Sequence, residues 1–160
     1  MRGVYVANYR IATVTTGPKT LMYVTAPAAV AVEVIAASVT NENNESNEQM
    51  ILCIQKITTL GTPTATTITP AKVEAGDQAA ASTVKANVTA SEPTYGAIAQ
   101  GAAIADVHGL QGIPSLNGWT LGDFVERRLV IPPSVSYGLR LVLTVASVDL
   151  AIEWVFREVG

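Results

Sequence analysis

Apolar and polar residues alternate with period two along most of this chain. The clearest run is Ala29 to Val39, where Val30, Val32, Val34 and Ala36 fall on one side and Ala31, Glu33, Ile35 and Ala37 on the other. Successive strand side chains point to opposite faces, so the run predicts a strand with one face in a core and the other partly wet. The segment "QMILCIQKITT" (49–59) is apolar on both faces from Met50 to Ile54, which predicts a strand in the middle of a sandwich. Near the end, Leu139, Leu141, Leu143 and Val145 alternate with Arg140, Val142, Thr144 and Ala146. Ile152, Trp154 and Phe156 then alternate with Glu153, Val155 and Arg157. These read as two antiparallel core strands joined near "ASVD". The opening "MRGVYVANYRIATVTTG" alternates as well, and residues 1–20 are either a first strand or an N-terminal arm.

Turn residues punctuate these runs. "NENNESNEQ" (41–49) is acidic and rich in Asn, a residue that accepts left-handed backbone angles, and it predicts a solvated hairpin loop. "ERRLVIPP" (126–133) reads as a strand ended by two prolines, which cannot donate to a ladder. One segment favours a helix: "GDQAAASTVKAN" (76–87), with Asp77 as a cap and three alanines after Gln78. Eight to ten strand-like runs, rich in β-branched residues, predict an all-β fold: a single-domain, jelly-roll-like antiparallel β-sandwich over 1–160.

Composition narrows the function. Of 160 residues, 49% are hydrophobic and only 14% charged, and the mean hydropathy is +0.33. A surface so short of charge predicts that some apolar area is covered by another protein. A net charge of -3 excludes the basic face that nucleic-acid binding requires. The apolar stretch "TLMYVTAPAAVAV" is interrupted by Pro27 and is shorter than the ~20 residues that span a bilayer. No membrane partner is expected, and no apolar leader with a small-residue cleavage site opens the chain. The single cysteine, Cys53, excludes an intrachain disulfide and reads as a small buried hydrophobe.

Reactive groups are few. Asp106 and His108 stand two apart in "IADVHGLQG" and Ser115 follows, the types of a catalytic triad without a nucleophile elbow. His108 therefore reads as a polar loop residue. One Cys and one His far apart cannot build a zinc site, and the oxygen-rich 41–49 stretch lacks the spaced Asp and central Gly of a calcium loop. Asp123, Glu126 and Glu153 could supply a carboxylate pair for glycoside hydrolysis, but nothing in the sequence sets them across a cleft. "NES" at Asn44 and "NVT" at Asn87 match a glycosylation acceptor too short to carry weight. We expect no enzyme activity, catalytic residue, metal, cofactor or small-molecule substrate. The stretch 60–105 is rich in Ala and Thr with few large anchors, and should lie along a sheet or between subunits.

Four features in order carry a resemblance: "TPAKVEAGDQAAASTVKAN" (69–87), "LNGW" (116–119), "ERRLVIPP", and a final apolar strand with an acidic end. Together they resemble small jelly-roll virion proteins of tailed bacteriophages, which serve as capsid cement or decoration proteins. The first 60 residues share the strand pattern alone. The resemblance implies a homotrimer on the outer surface of an icosahedral head, in contact with the major capsid protein and assembled in the host bacterial cytoplasm. It supplies no catalytic residue. Candidate interface anchors are Tyr95, Trp119, Phe124 and Tyr137, because aromatic rings dominate interface energetics. Trp154 is expected in the core, and Trp119 fits either role. Arg127 and Arg128 alternate faces, which leaves one free for an acidic partner. The alternative is a trimeric tail or head fibre module that binds a host receptor or glycan.

Overall fold

The computed structural model describes residues 3–14, 17–42, 49–98, 106–122, 128–144 and 147–160. In order, the strands are β1 (Gly3–Val14), β2 (Lys19–Thr25), β3 (Ala31–Asn41), β4 (Gln49–Thr59), β5 (Thr64–Ile68), β6 (Ala71–Lys72) and β7 (Thr83–Ala90). They continue with β8 (Thr94–Tyr95), β9 (Val107–Pro114), β10 (Trp119–Gly122), β11 (Val130–Ile131), β12 (Ser136–Thr144) and β13 (Val148–Val159). A front sheet runs β10-β3-β13-β1-β6, with β11 also on β3. A back sheet runs β5-β7-β2-β12-β4-β8, with β9 also on β4. Every pairing is antiparallel.

The pairings are nested: β1 with β13, β2 with β12, β3 with β10, and β4 with β9. Odd pairs lie in the front sheet and even pairs in the back, as if one long hairpin had been rolled up. That arrangement is a jelly roll. It corrects two sequence expectations. The strands on either side of the 41–49 stretch, β3 and β4, belong to different sheets, so the stretch joins sheets and is not a hairpin. Likewise β12 and β13 are not partners, because the chain crosses the sandwich between them. Of the 1–20 stretch, Gly3–Val14 forms the first strand, β1, held by β13 and β6.

The core lies between the sheets. From β13 it takes Val148, Leu150, Ile152, Trp154 and Phe156, from β1 Tyr5, Ala7 and Ile11, and from β4 Met50, Leu52 and Ile54. Tyr5 and Phe156 pack with ring centroids 5.6 Å apart. In β3 the alternation changes phase: Val155 pairs with Ala36 and Phe156 with Val34, which leaves Ile35 as a bulge. Val32 and Val34 therefore face inward, but beyond the bulge Ala37 and Val39 do, and Ala36 faces out. The unbroken alternation read from the sequence placed Ala36 and Ala37 the other way round.

Strands β5 to β8 fold from the Ala- and Thr-rich stretch and follow the sheet edge. β7 extends the back sheet beside β2, and β6 extends the front sheet beside β1. The expected helix at 76–87 does not form, because tertiary partners take its backbone groups. The Tyr5 hydroxyl donates to the Gln78 carbonyl at 3.0 Å. The carboxylate of Glu158, fully buried, accepts 2.7 Å bonds from the Ala81 and Ser82 N–H groups and from the Ser82 hydroxyl. Glu158 continues the inward series Ile152, Trp154, Phe156, so a core strand ends in an acceptor that pins the edge segment. Glu158→Ala should cost about 3–5 kcal/mol, because it strands three donors and opens a cavity; urea denaturation measures the loss. Limited proteolysis should then cut first within 76–82.

Candidate interaction surface

The residues proposed from sequence as contact anchors mostly face their own chain. Trp119, 1% exposed, pairs with Val39 on the inner side of β3, and its Nε1 donates to the Gly109 carbonyl at 3.0 Å. Gly109 has φ +63 at the register shift within β9, and a Cβ there would meet the Trp119 ring at 3.0 Å, so glycine serves both the bulge and the tryptophan. Tyr137 is 5% exposed and belongs to the core. Burial raises its pKa, and the nearby charge of Asp106 adds to the rise. Trp119 and Tyr137 are thus core residues, a correction to their reading as partner anchors. Phe124 and Arg127 lie outside the described residues.

Tyr95 is folded onto the outer side of the back sheet. Its hydroxyl is 2.7 Å from the Thr20 hydroxyl, and the Arg140 guanidinium stands 4.7 Å over its ring. Burial pushes the Tyr95 phenol well above its ordinary value. Beneath it, a Cβ on Gly138 would fall 2.1 Å from the Tyr95 oxygen, so the glycine in mid-strand makes room for the ring. Arg140 also donates to the Gln55 Oε1 at 2.8 Å, and Gln55 Nε2 to the Gly96 carbonyl at 2.8 Å. Tyr23, Ile57 and Val88 form a second apolar cluster, against which Leu60, Ala65 and Tyr95 pack. The chain covers much of this outer face itself. Cys53 is buried, and burial, against the charge of Arg140, pushes its thiol up to about 11.

The front sheet differs. Its register defines cross-strand rows of outward residues. One row is Val130, Glu33, Arg157 and Val4; another is Ala36, Val155, Val6 and Ala71. Further along come Ser38, Glu153 and Asn8, then Thr40, Ala151 and Arg10. Val4, Val6 and Val155 are half-buried and belong to neither apolar cluster, while Val130 is 52% and Val159 40% exposed. Where the rows carry small residues, the sheet surface dips into a shallow depression of about 650 Å3 lined by Asn8, Arg10, Ser38, Thr40, Ala151 and Glu153. Arg10 closes its rim through a 2.6 Å bond to Glu42.

Charge on this face is largely matched. Glu33, 8% exposed, is bonded by Arg128 at 3.1 Å and by Arg157. Arg128, one of the two arginines of which either could have been the free one, thus has an acidic partner in its own chain. Burial alone would raise the Glu33 pKa, but hydrogen bonds and charge from Arg157 and Arg128 outweigh it and hold the carboxyl below 4.5.

The catalytic candidates stay apart. His108 pairs with Ile54 and packs on Tyr137 with centroids 6.2 Å apart, while the Asp106 carboxylate sits 3.7 Å from the Lys56 ammonium. Ser115 begins the 3-10 turn after β9, about 20 Å of strand from His108. Glu153 lies on the front-sheet face, and Asp123 and Glu126 lie outside the described residues. Among the described residues, no group of three or more His, Cys, Asp or Glu could hold a metal ion. The chain matches no model of a known protein family, no curated protein and no solved structure.

Two measurements check this geometry. Glu33 has a depressed pKa, so its stabilisation is present above pH 4.5 and lost as pH falls through the lower folded value. Glu33→Gln should cost about 1–3 kcal/mol at pH 7, and urea titrations at falling pH should show the gap to wild type close below pH 4.5. Gly138→Ala should cost about 1–3 kcal/mol through overpacking. In a Tyr95→Ala background that cost should nearly vanish, which a double-mutant cycle reads as coupling.

Proposed function

We propose that this chain is a structural virion protein, not an enzyme. It is a capsid cement or decoration protein that binds the outside of an icosahedral phage head as a homotrimer and strengthens contacts between major capsid protein subunits. The supporting observation is a jelly roll whose back sheet is largely covered by its own chain, while the front sheet carries half-buried Val4, Val6 and Val155 and the exposed Val130 and Val159. A low charge content of 14% suits a protein largely enclosed by partners. The motif order from 69 to 160 points the same way. Threefold repetition would let weak patches act together and raise affinity through effective concentration.

The depression on the front sheet favours a second reading, a tail or head fibre module that takes a host receptor or glycan, since Asn8, Ser38, Thr40 and Glu153 offer polar groups there. Copy number separates the two. Quantitative mass spectrometry of purified, fractionated particles of the phage that encodes the chain should find hundreds of copies on the head. A few dozen or fewer, on the tail, would overturn the cement reading and support the fibre.

A further inference from the structure

The depression on the front sheet lies over three long strands, and its floor offers side chains only. β13, in the middle, is laddered to β3 on one side and to β1 on the other. Its backbone N–H and C=O groups are therefore taken, and an extended peptide cannot add to it. What reaches outward is two cross-strand rows: Ser38, Glu153 and Asn8, then Thr40, Ala151 and Arg10. Among the described residues, the side chains of Asn8, Ser38, Thr40 and Glu153 meet no hydrogen-bond or ion-pair partner. Arg10 uses its Nε on Glu42, which steadies the guanidinium and leaves its Nη groups to donate. We infer that this depression is a saccharide-binding subsite, in which Glu153 accepts from vicinal hydroxyls of one sugar ring and Arg10, Asn8, Ser38 and Thr40 bond the hydroxyls around it.

Size, charge and polarity choose that ligand. Strands ~4.8 Å apart and rows two residues apart frame a patch of about 10 by 7 Å, with the half-buried Ala151 between Thr40 and Arg10 as its low point. That matches one or two sugar rings and falls far short of the ~800 Å2 per partner of a stable protein interface. The patch carries one carboxylate and one guanidinium, and the latter is already balanced in part by Glu42. A nucleic acid would meet no excess of cations, and no carboxylate cluster is there to hold a metal ion. Its low point supplies a single methyl group, so an apolar ligand would find nothing to fill. A sugar ring, with hydroxyls on every side that both donate and accept, meets an acceptor in Glu153, a donor in Arg10 and both functions in Asn8, Ser38 and Thr40.

The inference deepens the glycan side of the second reading above and rests on that reading's choice of face, not on where in a particle the chain sits. The full chain, labelled with nitrogen-15, is titrated with D-galactose, N-acetyl-D-glucosamine, L-rhamnose and D-glucuronate, each to about 50 mM, while its amide spectrum is followed. An open site that holds one ring should bind with a roughly millimolar dissociation constant. At least one sugar should shift the amides of Asn8, Ser38, Thr40, Ala151 and Glu153 saturably. Glu153→Gln, which removes the charged acceptor, should weaken binding about tenfold. Ala151→Ile, which fills the low point with a residue that favours strands, should abolish the shifts. Both changes lie on the outward side of β13, so melting temperature and far-UV circular dichroism should stay near wild type, and if one variant fails to fold the other decides. No saturable shift with any of the four sugars would overturn the inference. Saturable shifts that map to other residues, or that survive Ala151→Ile in a folded protein, would overturn the placement. Binding here by a chain present in hundreds of copies on the head sustains the subsite and overturns the fibre reading. A chain on the tail that binds none of the sugars overturns the subsite and leaves the fibre reading standing.

Discussion

The antiparallel register between β1 and β13 is the constraint on which the other pairings hang. Tyr5 opposite Phe156 and Ala7 opposite Trp154 place the two largest aromatic groups of the last strand inside the sandwich, both fully buried. A slip by one residue would turn Trp154 and Phe156 outward and bring Arg157 and Glu153 in, because side chains alternate with a period of two. No partial slip escapes that cost. With the outermost ribbon fixed, β2 and β12 can pair only in the opposite sheet, and the inner ribbons follow in nested order. Glu158, next on the inward side of β13, then reaches the segment before β7, so the register that sets the core also fixes the edge band.

Much of this was legible in the alternation. Val30 to Val34, Met50 to Ile54, Leu139, Leu141 and the Ile152–Phe156 series all lie where period two puts them, because a strand buried on one side writes that side into every second residue. The bulge at Ile35 was not legible, since one extra residue leaves no local mark and only shifts the phase after it. Which strands are partners was not legible either. An alternating strand beside another predicts a hairpin equally well whether the chain turns back in its sheet or crosses to the other. The helix at 76–87 failed for a related reason. Alanine and an Asp cap favour a helix locally, but acceptor and donor groups from Tyr5 and Glu158, some seventy residues distant or more in sequence, take its backbone.

The aromatic candidates show where composition misleads about surfaces. Trp119 and Tyr137 have the residue types that anchor interfaces, but the same large apolar area also suits them to a core, and each sits on the inward side of its strand. Tyr95 serves a third end, as the lid of the back sheet over a glycine. Glu158 was missed from the sequence although the signal was there, a carboxylate at the next inward step of an apolar series; three donors meet its Oε1, while its Oε2 is buried without a partner among the described residues.

The two buried carboxylates solve the same problem by different means, and the difference bears on the surface. Glu158 is held through its Oε1 by backbone and hydroxyl donors. Glu33 takes two arginines, and Arg140 is committed to Gln55 and the Tyr95 ring. Of the 10 Lys and Arg in the chain, Arg128, Arg157 and Arg140 are drawn into these contacts and Arg10 and Lys56 pair with Glu42 and Asp106, so the charge left to keep separate molecules apart is smaller than the composition alone implies. Glu42, the next residue after β3, takes Arg10 at 2.6 Å on the rim of the front-sheet depression.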